Sequence, residues 1–309
     1  MEVHLVGFES IGVRSQATFI QTNDTTIFID PSAALAPRRY GLPPHALEIK
    51  WLLKVFDKIE DFVRDSEYVV ITHYHYDHHD PGRFIDPHIF KGKAFLIKDF
   101  SSYTNFSQKM RAYRYYNTIK EFAKSISVID GRNLTLGSTT ISFSSPLPHG
   151  RDSKLGYVVS VCIENDIAVL FTSDIEGGPS EEHLKLKDFC RPELAIVDGP
   201  PTYLMGYSFS EEDLKRSVEF LNTFIAKNVG FLQVIILDHH VFRDLSYINF
   251  IKELKLPQTT HIKTAAEFMG LEPRPLEALR KALYRAENEN GLDMLRNALR
   301  QGGNGELFD

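Results

Sequence analysis

The pattern of apolar and polar positions predicts several short strands within the first thirty residues. Three runs have the apolar and β-branched character of strands: residues 5–6, 17–20 and 26–29. Asn23 and Asp24 separate the last two runs and are common turn residues, so we predict a β-hairpin there. Asp30 and Pro31 follow and end the second strand.

Beyond this hairpin, apolar runs of strand length alternate with longer segments that show helical spacing. Strands are predicted at residues 68–72, 94–97, 126–129, 140–143, 157–163, 168–171, 194–197 and 233–237. Helices are predicted at residues 45–64, 106–123, 181–187, 211–227 and 249–254. Residues 32–45 are rich in proline and arginine and predict a long loop. Residues 276–300 predict a charged amphipathic helix or helical pair, packed outside the main body. Strands mixed with helices favour a layered α+β architecture.

The composition is that of an ordinary globular protein. The chain has 309 residues, of which 43% are hydrophobic and 25% charged, and this length suits one large domain or two modest ones. The net charge of -6 argues against general affinity for nucleic acid but leaves room for a local basic patch. The first residues do not resemble a secretory signal, and no apolar run approaches the roughly 20 residues that span a bilayer. We therefore expect a cytoplasmic protein without a membrane partner, and the oligomeric state stays open.

The chain has two cysteines, Cys162 and Cys190, and neither has a neighbour at the spacing of metal ligands. Two cysteines can form one disulfide, but no disulfide framework is visible. We therefore expect two reduced thiols. Cys162 lies in an apolar run and is expected in the core.

Histidines cluster in the sequence Thr-His-Tyr-His-Tyr-Asp-His-His at residues 72–79. Four of the chain's 12 histidines lie here, and such clustering is typical of metal binding. Residues two apart share a face of an extended chain, so His73, His75 and Asp77 are expected to project together from the end of a strand. His78 points elsewhere in this arrangement and can reach a second metal.

The residue types in this run suit zinc. Imidazole nitrogen and carboxylate oxygen bind Zn²⁺ at about 2.0–2.2 Å. One run can thus supply ligands to two metals, as in dinuclear hydrolases. His79 is expected to support the site or to be exposed, and not to bind metal itself.

The pattern His73-x-His75-x-Asp77-His78, which follows an apolar strand, resembles the hallmark motif of the metallo-β-lactamase superfamily. This resemblance implies a four-layered αββα sandwich of the α+β class. It also implies a dinuclear metal site at one edge of the sandwich.

The resemblance covers residues 3 to about 265. We therefore expect a catalytic domain at residues 1–270 and a C-terminal helical extension at residues 271–309. Within the superfamily, residues 38–44 and 74–79 look closest to the archaeal UPF0282 group. That match implies an intracellular metallo-hydrolase and gives no substrate.

The other site positions of the superfamily each follow a strand, and this sequence fills them in order. Asp30 matches the early aspartate, which by resemblance orients the metal-site loop and is not a ligand. His149, in Pro-Leu-Pro-His-Gly, matches the third histidine of the first metal. Asp174, after Leu-Phe-Thr-Ser, matches the bridging carboxylate.

The last ligand is expected to be a histidine after a late strand, and both His239 and His240 stand there. Residues 236–243 are similar to the Leu-Thr-His-Phe-Ser-x-Arg region of transfer-RNA 3′-processing members. This alignment favours His239, with His240 as the alternative. It places Arg243 four residues further on.

By resemblance, two divalent metal ions share these ligands. The first would be held by His73, His75 and His149, the second by Asp77, His78 and His239, with Asp174 bridging the two. Zinc is the expected metal, with iron and manganese as alternatives. Two cations lower the pKa of a bridging water, so that hydroxide can attack a polarised bond near neutral pH. Asp77 and Asp174 are therefore the candidate catalytic residues.

The expected activity is hydrolysis of a phosphodiester or a related anionic bond, in a small-molecule or phosphodiester substrate. Arg38, Arg39 and Arg243 are candidate substrate-binding residues, although such residues are equally typical of solvated surface charge. A hydrolase of small esters, lactones or thioesters fits the ligands equally well. An iron-dependent oxidoreductase on the same scaffold is a further alternative. A non-catalytic binding protein would be expected to have lost ligands, and none is missing.

Ribonuclease activity is a separate hypothesis. Basic and aromatic residues interleave between residues 106 and 120, and this combination can hold single-stranded nucleic acid. An amphipathic helix with buried aromatics and a solvated basic face is the more common structure, and it is the one we expect. The long inserted arm that binds transfer RNA in 3′-processing enzymes has no counterpart in the sequence.

Overall fold

Residues 1–289 are described by a computed structural model, in which two large β-sheets face each other. The first sheet contains six strands in chain order: β1 Glu2–Gly7, β2 Ala17–Gln21, β3 Thr26–Ile29, β4 Tyr68–Ile71, β5 Ala94–Ile97 and β6 Ser125–Val128. The hairpin predicted around Asn23 and Asp24 is present as the antiparallel pair β2–β3. From β3 onward the strands run parallel, so their carboxyl ends meet at one edge of the sheet.

The second sheet contains seven strands: β7 Asn133–Leu136, β8 Thr139–Phe143, β11 Val161–Glu164, β12 Ala168–Phe171, β13 Leu194–Asp198, β14 Val234–Asp238 and β15 His261–Lys263. Their order across the sheet is β15-β14-β13-β12-β11-β8-β7. A short ribbon of β9 Leu147–Pro148 and β10 Tyr157–Val158 lies between β8 and β11 in the chain. Strands β12 to β15 are parallel, which again gathers carboxyl ends at one edge.

Seven helices complete the described part of the chain. They are α1 Ala46–Asp65, α2 Phe106–Ile119, α3 Leu186–Phe189, α4 Glu211–Lys227, α5 Tyr247–Lys252, α6 Ala265–Phe268 and α7 Leu276–Glu289. Within residues 1–289, no helix is both long and apolar enough to cross a membrane.

The side chains of the second sheet alternate between two apolar clusters. Val169 and Phe171 of β12 face the core shared with the first sheet, whereas Leu170 between them faces α4. This period of two is what a strand buried on both faces requires. Helices α1 and α2 pack in the cluster of the first sheet and α4 packs against the second sheet alone, which confirms the four-layered αββα sandwich of the α+β class.

Helix α7 packs on the outside of this sandwich through both apolar and ionic contacts. A small cluster unites Leu276, Leu279 and Leu283. Arg280 donates to both carboxylate oxygens of Glu48 at 2.7 Å, and both side chains are fully buried. The predicted helical tail is thus present as α7, and its residues 290–300 lie outside the described part of the chain.

Several element predictions differ from the structure. The strand predicted at residues 157–163 is two strands, because the N–H of Val159 donates to the carbonyl of Thr72 at the end of the first sheet instead of continuing one ladder. Strand β7 was not predicted, since Asn133–Leu136 is short and largely half-exposed. Helix α2 ends at Ile119, where the prediction extended to residue 123.

The expectation of two reduced thiols is wrong in this structure. Cys162 on β11 and Cys190 after α3 form a disulfide, with their Cα atoms 5.9 Å apart. Cys162 is in the core, as expected. The pairing depends on where α3 packs against the second sheet, and a sequence separation of 28 residues carries no signal of that contact.

The expectation that the aromatic side chains of α2 are buried is wrong for two of them. Tyr115 is buried, but Phe106 is 81% exposed and Tyr113 is 57% exposed. The reason is helical spacing. Ala112, Tyr115 and Ile119 share the face that packs on the first sheet, and Phe106 and Tyr113 lie on the opposite face.

Candidate metal centre

The predicted ligands come together at the edge where the carboxyl ends of the strands meet. His73 follows β4, His149 follows β9, Asp174 follows β12 and His239 follows β14. Strands β4, β12 and β14 run parallel to their neighbours, so their carboxyl ends lie at one edge of each sheet. His149 joins them from the antiparallel ribbon of β9 and β10. Both sheets therefore contribute to one cluster.

Asp174 lies at the centre of this cluster. One carboxylate oxygen, Oδ2, is 3.2 Å from His149 Nε2, 3.3 Å from His239 Nε2 and 3.5 Å from His73 Nε2. The other oxygen, Oδ1, is 3.1 Å from His78 Nε2. A single carboxylate thus faces four imidazole nitrogens, the position expected of a bridging ligand.

Among the described residues of the cluster, four overlapping groups of potential ligand atoms lie within 4.8 Å of one another. Two of these groups correspond to the ligand sets implied by the sequence resemblance: His73, His75, His149 and Asp174, and Asp77, His78 and His239. The other two are Asp30, His73 and His78, and Asp174, His239 and His240.

The local conformation of the histidine run differs from the extended chain that we expected. Residues 73–80 belong to no strand, and the N–H of His78 donates to the carbonyl of His75 at 3.0 Å in a tight turn. The turn rotates Asp77 away from His73 and His75. Asp77 consequently lies in the group of His78, and the expectation of one shared face was wrong.

His79 belongs to none of these groups of potential ligands. Its Nδ1 lies 2.9 Å from the carbonyl oxygen of His75, so this nitrogen donates and stabilises the turn. Its ring packs against that of Tyr115 with centroids 4.9 Å apart. His79 is buried, and so the alternative of an exposed side chain is excluded.

Asp30 lies behind the cluster and contacts Thr72 and His78. Its Oδ1 accepts from the N–H of Thr72 at 2.8 Å, and its Oδ2 lies 2.8 Å from His78 Nδ1. A carboxylate on the distal nitrogen fixes the ring orientation of a metal-binding histidine. Asp30, Ser173 and His239 all have left-handed backbone conformations, with φ of 50°, 57° and 60°. Such strain is typical of functional sites.

The two candidate histidines after β14 have different partners. His239 Nδ1 lies 2.7 Å from Glu9 Oε2, and its Nε2 points to Asp174. His240 Nδ1 lies 2.9 Å from Asp198 Oδ1, and His240 forms a third group of potential ligands with Asp174 and His239. Of the two histidines, His239 is the one grouped with Asp77.

Glu9 is a functional candidate that the sequence did not indicate. It is buried, and its carboxylate accepts from Arg243 Nε at 2.6 Å while it also contacts His239. Arg243 is buried as well, with Nη2 3.8 Å from Asp77 Oδ2. Glu9 sits in a single 3₁₀ turn after β1, far from every motif in the sequence. The only signal is a charged residue between apolar Phe8 and Ile11.

The other two predicted arginines are placed differently from Arg243. Arg38 is exposed and donates to the carbonyl of Gly41 in its own loop. Arg39 donates to the carbonyl of Arg243, and its guanidinium lies over the ring of Tyr203 at 4.4 Å. Within residues 1–289, neither Arg38 nor Arg39 contacts a predicted metal ligand, so Arg243 alone of the three reaches the cluster.

Carboxylates shift the pKa values of the histidines. Burial lowers the pKa of His78, but Asp174 and Asp30 outweigh it and raise the value to about 10. Burial also lowers the pKa of His149, while Asp174 and Glu176 raise it to about 10. The carboxylates therefore favour positive charge at the centre of the cluster.

The same contacts shift the pKa values of the carboxylates in the opposite direction. Burial raises the pKa of Asp77 and Asp174, but neighbouring His78 and His239 outweigh it and hold both pKa values below their usual range. His75 differs, because burial lowers its pKa to about 3. A neutral imidazole is the form that binds a metal.

Buried polar atoms without hydrogen bonds indicate what the cluster fits. Among the described residues, His73 Nε2, His78 Nε2, His149 Nε2 and Asp174 Oδ1 are buried and lack a hydrogen bond of acceptable geometry. Buried polar atoms are nearly always satisfied, so a concentration of such atoms points to a missing partner. Nitrogen and carboxylate donors of this kind suit Zn²⁺ and related divalent ions.

Comparisons with known proteins find close relatives over nearly the whole chain. No protein-family profile matches it. It is 47% identical over 294 residues to a UPF0282 protein of Sulfurisphaera tokodaii, a match that covers 94% of each chain. It is 43% identical over 293 residues to UPF0282 proteins of Saccharolobus solfataricus and Metallosphaera sedula, covering 93% of this chain and 94% of each relative.

Two solved structures are also similar to the chain. One is Tm1679, a metal-dependent hydrolase of the β-lactamase superfamily, with a TM-score of 0.47 and 13% identity, covering 85% of this chain and 96% of that one. The other is a diphosphatase from the PhnP family, with a TM-score of 0.46 and 14% identity, covering 85% and 94%.

Proposed function

The chain belongs to the UPF0282 family, and we propose that it is a hydrolase that uses two divalent metal ions to cleave a phosphodiester or a related anionic bond. The observation that supports this most directly is the position of Asp174. Its carboxylate lies between two groups of potential ligands and faces an imidazole nitrogen from His73, His78, His149 and His239.

Two groups of potential ligands among the described residues support a site for two ions. His73, His75 and His149 would hold the first, Asp77, His78 and His239 the second, and Asp174 both. When bound, two divalent ions lower the pKa of a water molecule between them and neutralise charge on the bond under attack. Zinc suits this set of donors best, and iron and manganese are compatible with it.

The protein's own residues supply orientation and anion recognition. Asp30 fixes the ring of His78 from behind, and Glu9 does the same for His239. Arg243 presents its guanidinium beside Asp77 while Glu9 holds it in place. A fixed guanidinium binds a phosphate or carboxylate oxygen more strongly than a mobile one. This position favours an anionic substrate over a neutral ester or lactone.

Two histidines provide a matched test, one inside the candidate metal centre and one on the surface. We expect His75→Ala to remove most bound metal and to abolish hydrolysis of bis(4-nitrophenyl) phosphate. His88→Ala removes an exposed ring that belongs to no group of potential ligands, so it should keep its metal and its activity. Metal content per chain and phosphodiester turnover are measured on both variants and on the native protein.

Full turnover by His75→Ala after loss of its metal would contradict the proposal. Predominant iron, together with oxygen consumption and no hydrolysis, would instead assign the chain to the oxidoreductase alternative. A panel of ester, lactone and thioester substrates tests the remaining alternative, since preferred cleavage of a neutral ester would exclude an anionic substrate.

A further inference from the structure

Helix α2 presents an exposed apolar stripe. Phe106 is 81% exposed, Met110 is 41% exposed and Tyr113 is 57% exposed. These residues are spaced i, i+4 and i+7, so they line one side of the helix over about 10 Å. Scattered exposed apolar residues need no explanation, but a row of them is typical of a binding surface.

The same helix has a charge opposite to that of the whole chain. The chain carries a net charge of -6, yet the sequence of α2 contains Lys109, Arg111 and Arg114 and no acidic residue. Among the described residues, none of the three cations forms an ion pair with a carboxylate. Lys109 and Arg114 are exposed beside the apolar stripe. Unneutralised cations next to aromatic rings recognise phosphates joined to flat bases.

Helix α2 also adjoins the candidate metal centre. The guanidinium of Arg111 lies 4.9 Å from the ring centre of Tyr76, which stands between His75 and Asp77 in the sequence. Gln108 donates to the carbonyl of Leu155 at 2.8 Å, in the loop that follows His149. The first half of α2 therefore contacts both segments that carry ligands of the first metal group.

A second basic residue extends this surface toward the metal centre. The guanidinium of Arg83 lies 4.5 Å from the same Tyr76 ring and forms no ion pair within residues 1–289. Tyr76 thus contacts two cations, Arg83 and Arg111. Tyr103, 60% exposed, packs against Tyr157 near the other ligand-bearing loop. Aromatic and basic groups therefore continue from α2 to the ligand turn.

We propose that this surface, the α2 track, binds a single strand of nucleic acid and leads it to the metal centre. Phe106 and Tyr113 would stack on bases with Met110 packed between them, and Lys109, Arg111 and Arg114 would contact phosphates. The assignment of the strand as substrate rests on the proposed phosphodiester chemistry, whereas the binding itself does not. A second copy of the chain is disfavoured as occupant, because two such helices would bring like charges together.

Two double variants on exposed positions test the α2 track. Phe106→Ala with Tyr113→Ala removes stacking, and Lys109→Gln with Arg114→Gln removes charge, while Phe231→Ala with Lys215→Ala is the matched control from the side of the second sheet. Binding of fluorescein-labelled oligouridylate and oligothymidylate to the metal-loaded protein is measured by anisotropy at several salt concentrations. We expect each α2 double variant to weaken binding about ten-fold or more and the control to leave it unchanged. The charge variant should also reduce the dependence of binding on salt.

The outcomes separate this inference from the proposed function. Hydrolysis of bis(4-nitrophenyl) phosphate that is equal in all variants, together with weakened oligonucleotide binding in the α2 variants, supports both. If hydrolysis is again equal in all variants but oligonucleotide binding is absent or is unaffected by the α2 variants, only the α2 track is overturned. The α2 track would also be overturned if the α2 variants lost binding to anionic lipid vesicles while their binding to oligonucleotides was unchanged. Oligonucleotide binding that depends on α2 without any hydrolysis supports the track and contradicts the proposed function.

Discussion

Glu9 determines the positions of two residues at the metal centre. One carboxylate oxygen contacts His239 Nδ1 at 2.7 Å and the other accepts from Arg243 Nε at 2.6 Å. Charge-assisted bonds of this length are strong and directional. The orientation of a predicted metal ligand and that of a predicted anion-binding residue are therefore linked through one buried side chain.

We expect Glu9→Gln to weaken metal binding by about 10–100-fold, as is usual when the partner of a ligating histidine is lost. The amide keeps the shape of the side chain but cannot accept from both partners with a full negative charge. Calorimetric titration of metal-depleted protein with zinc measures the effect, and exposed Glu219→Gln on α4 serves as control. Unchanged affinity in Glu9→Gln would show that His239 needs no support or binds no metal.

The sequence indicated the predicted ligands at the metal centre but few of the residues behind them. His73, His75 and Asp77 could be recognised because they are adjacent in the chain and follow an apolar run. Glu9 and Asp198 contact His239 and His240 from distant segments, and such contacts depend on packing that no local pattern encodes. Asp30 was found only because the resemblance supplied its role.

At the scale of elements, most of the candidate ligands lie just after the ends of strands. Apolar runs predicted most of the strands that carry ligands, because buried parallel strands are continuous hydrophobic segments. The apolar pattern did not predict short half-exposed strands such as β7, the break between β10 and β11, or the disulfide of Cys162 with Cys190. Each of these depends on how distant elements meet.

Helix α7 is linked to the sandwich by an ion pair that depends on pH. Arg14 donates through two nitrogens to Glu277 at 2.6 Å. Burial raises the pKa of Glu277, but Arg14 and Arg243 outweigh it and lower the value from the ordinary 4.5 to about 2. A carboxyl group whose pKa is lowered on folding stabilises the protein above its unfolded pKa. This contribution is therefore complete above pH 4.5 and is lost as the pH falls toward 2.

We expect Glu277→Gln to lower the free energy of unfolding by about 3 kcal/mol at neutral pH. The deficit should shrink below pH 4.5, because the Glu277 carboxyl of the unfolded native-sequence chain then becomes protonated while that of the folded protein stays ionised until the pH nears 2. Urea unfolding at neutral pH and at about pH 3 measures both values. Glu60→Gln removes an exposed ion pair with Arg64 and should cost little at either pH. A deficit in Glu277→Gln that is independent of pH would contradict the ionic account.

At the scale of the whole molecule, the candidate metal centre lies where the two sheets meet. His73, His75, Asp77 and His78 follow a strand of the first sheet, and Asp174 and His239 follow strands of the second. The layered core holds the sheets together, and the candidate ligands lie in loops at one edge, the usual place for functional residues on a rigid scaffold. The α2 track is basic although the chain has a net negative charge, because α2 contains three basic residues and no acidic one.

An anomalous-difference map of crystals grown with zinc tests the central claim most directly. We expect two peaks, one against His73, His75 and His149 and one against Asp77, His78 and His239, with Asp174 contacting both. A single peak, or a second peak bound by His240 and Asp198 in place of His239, would contradict the proposed two-metal centre.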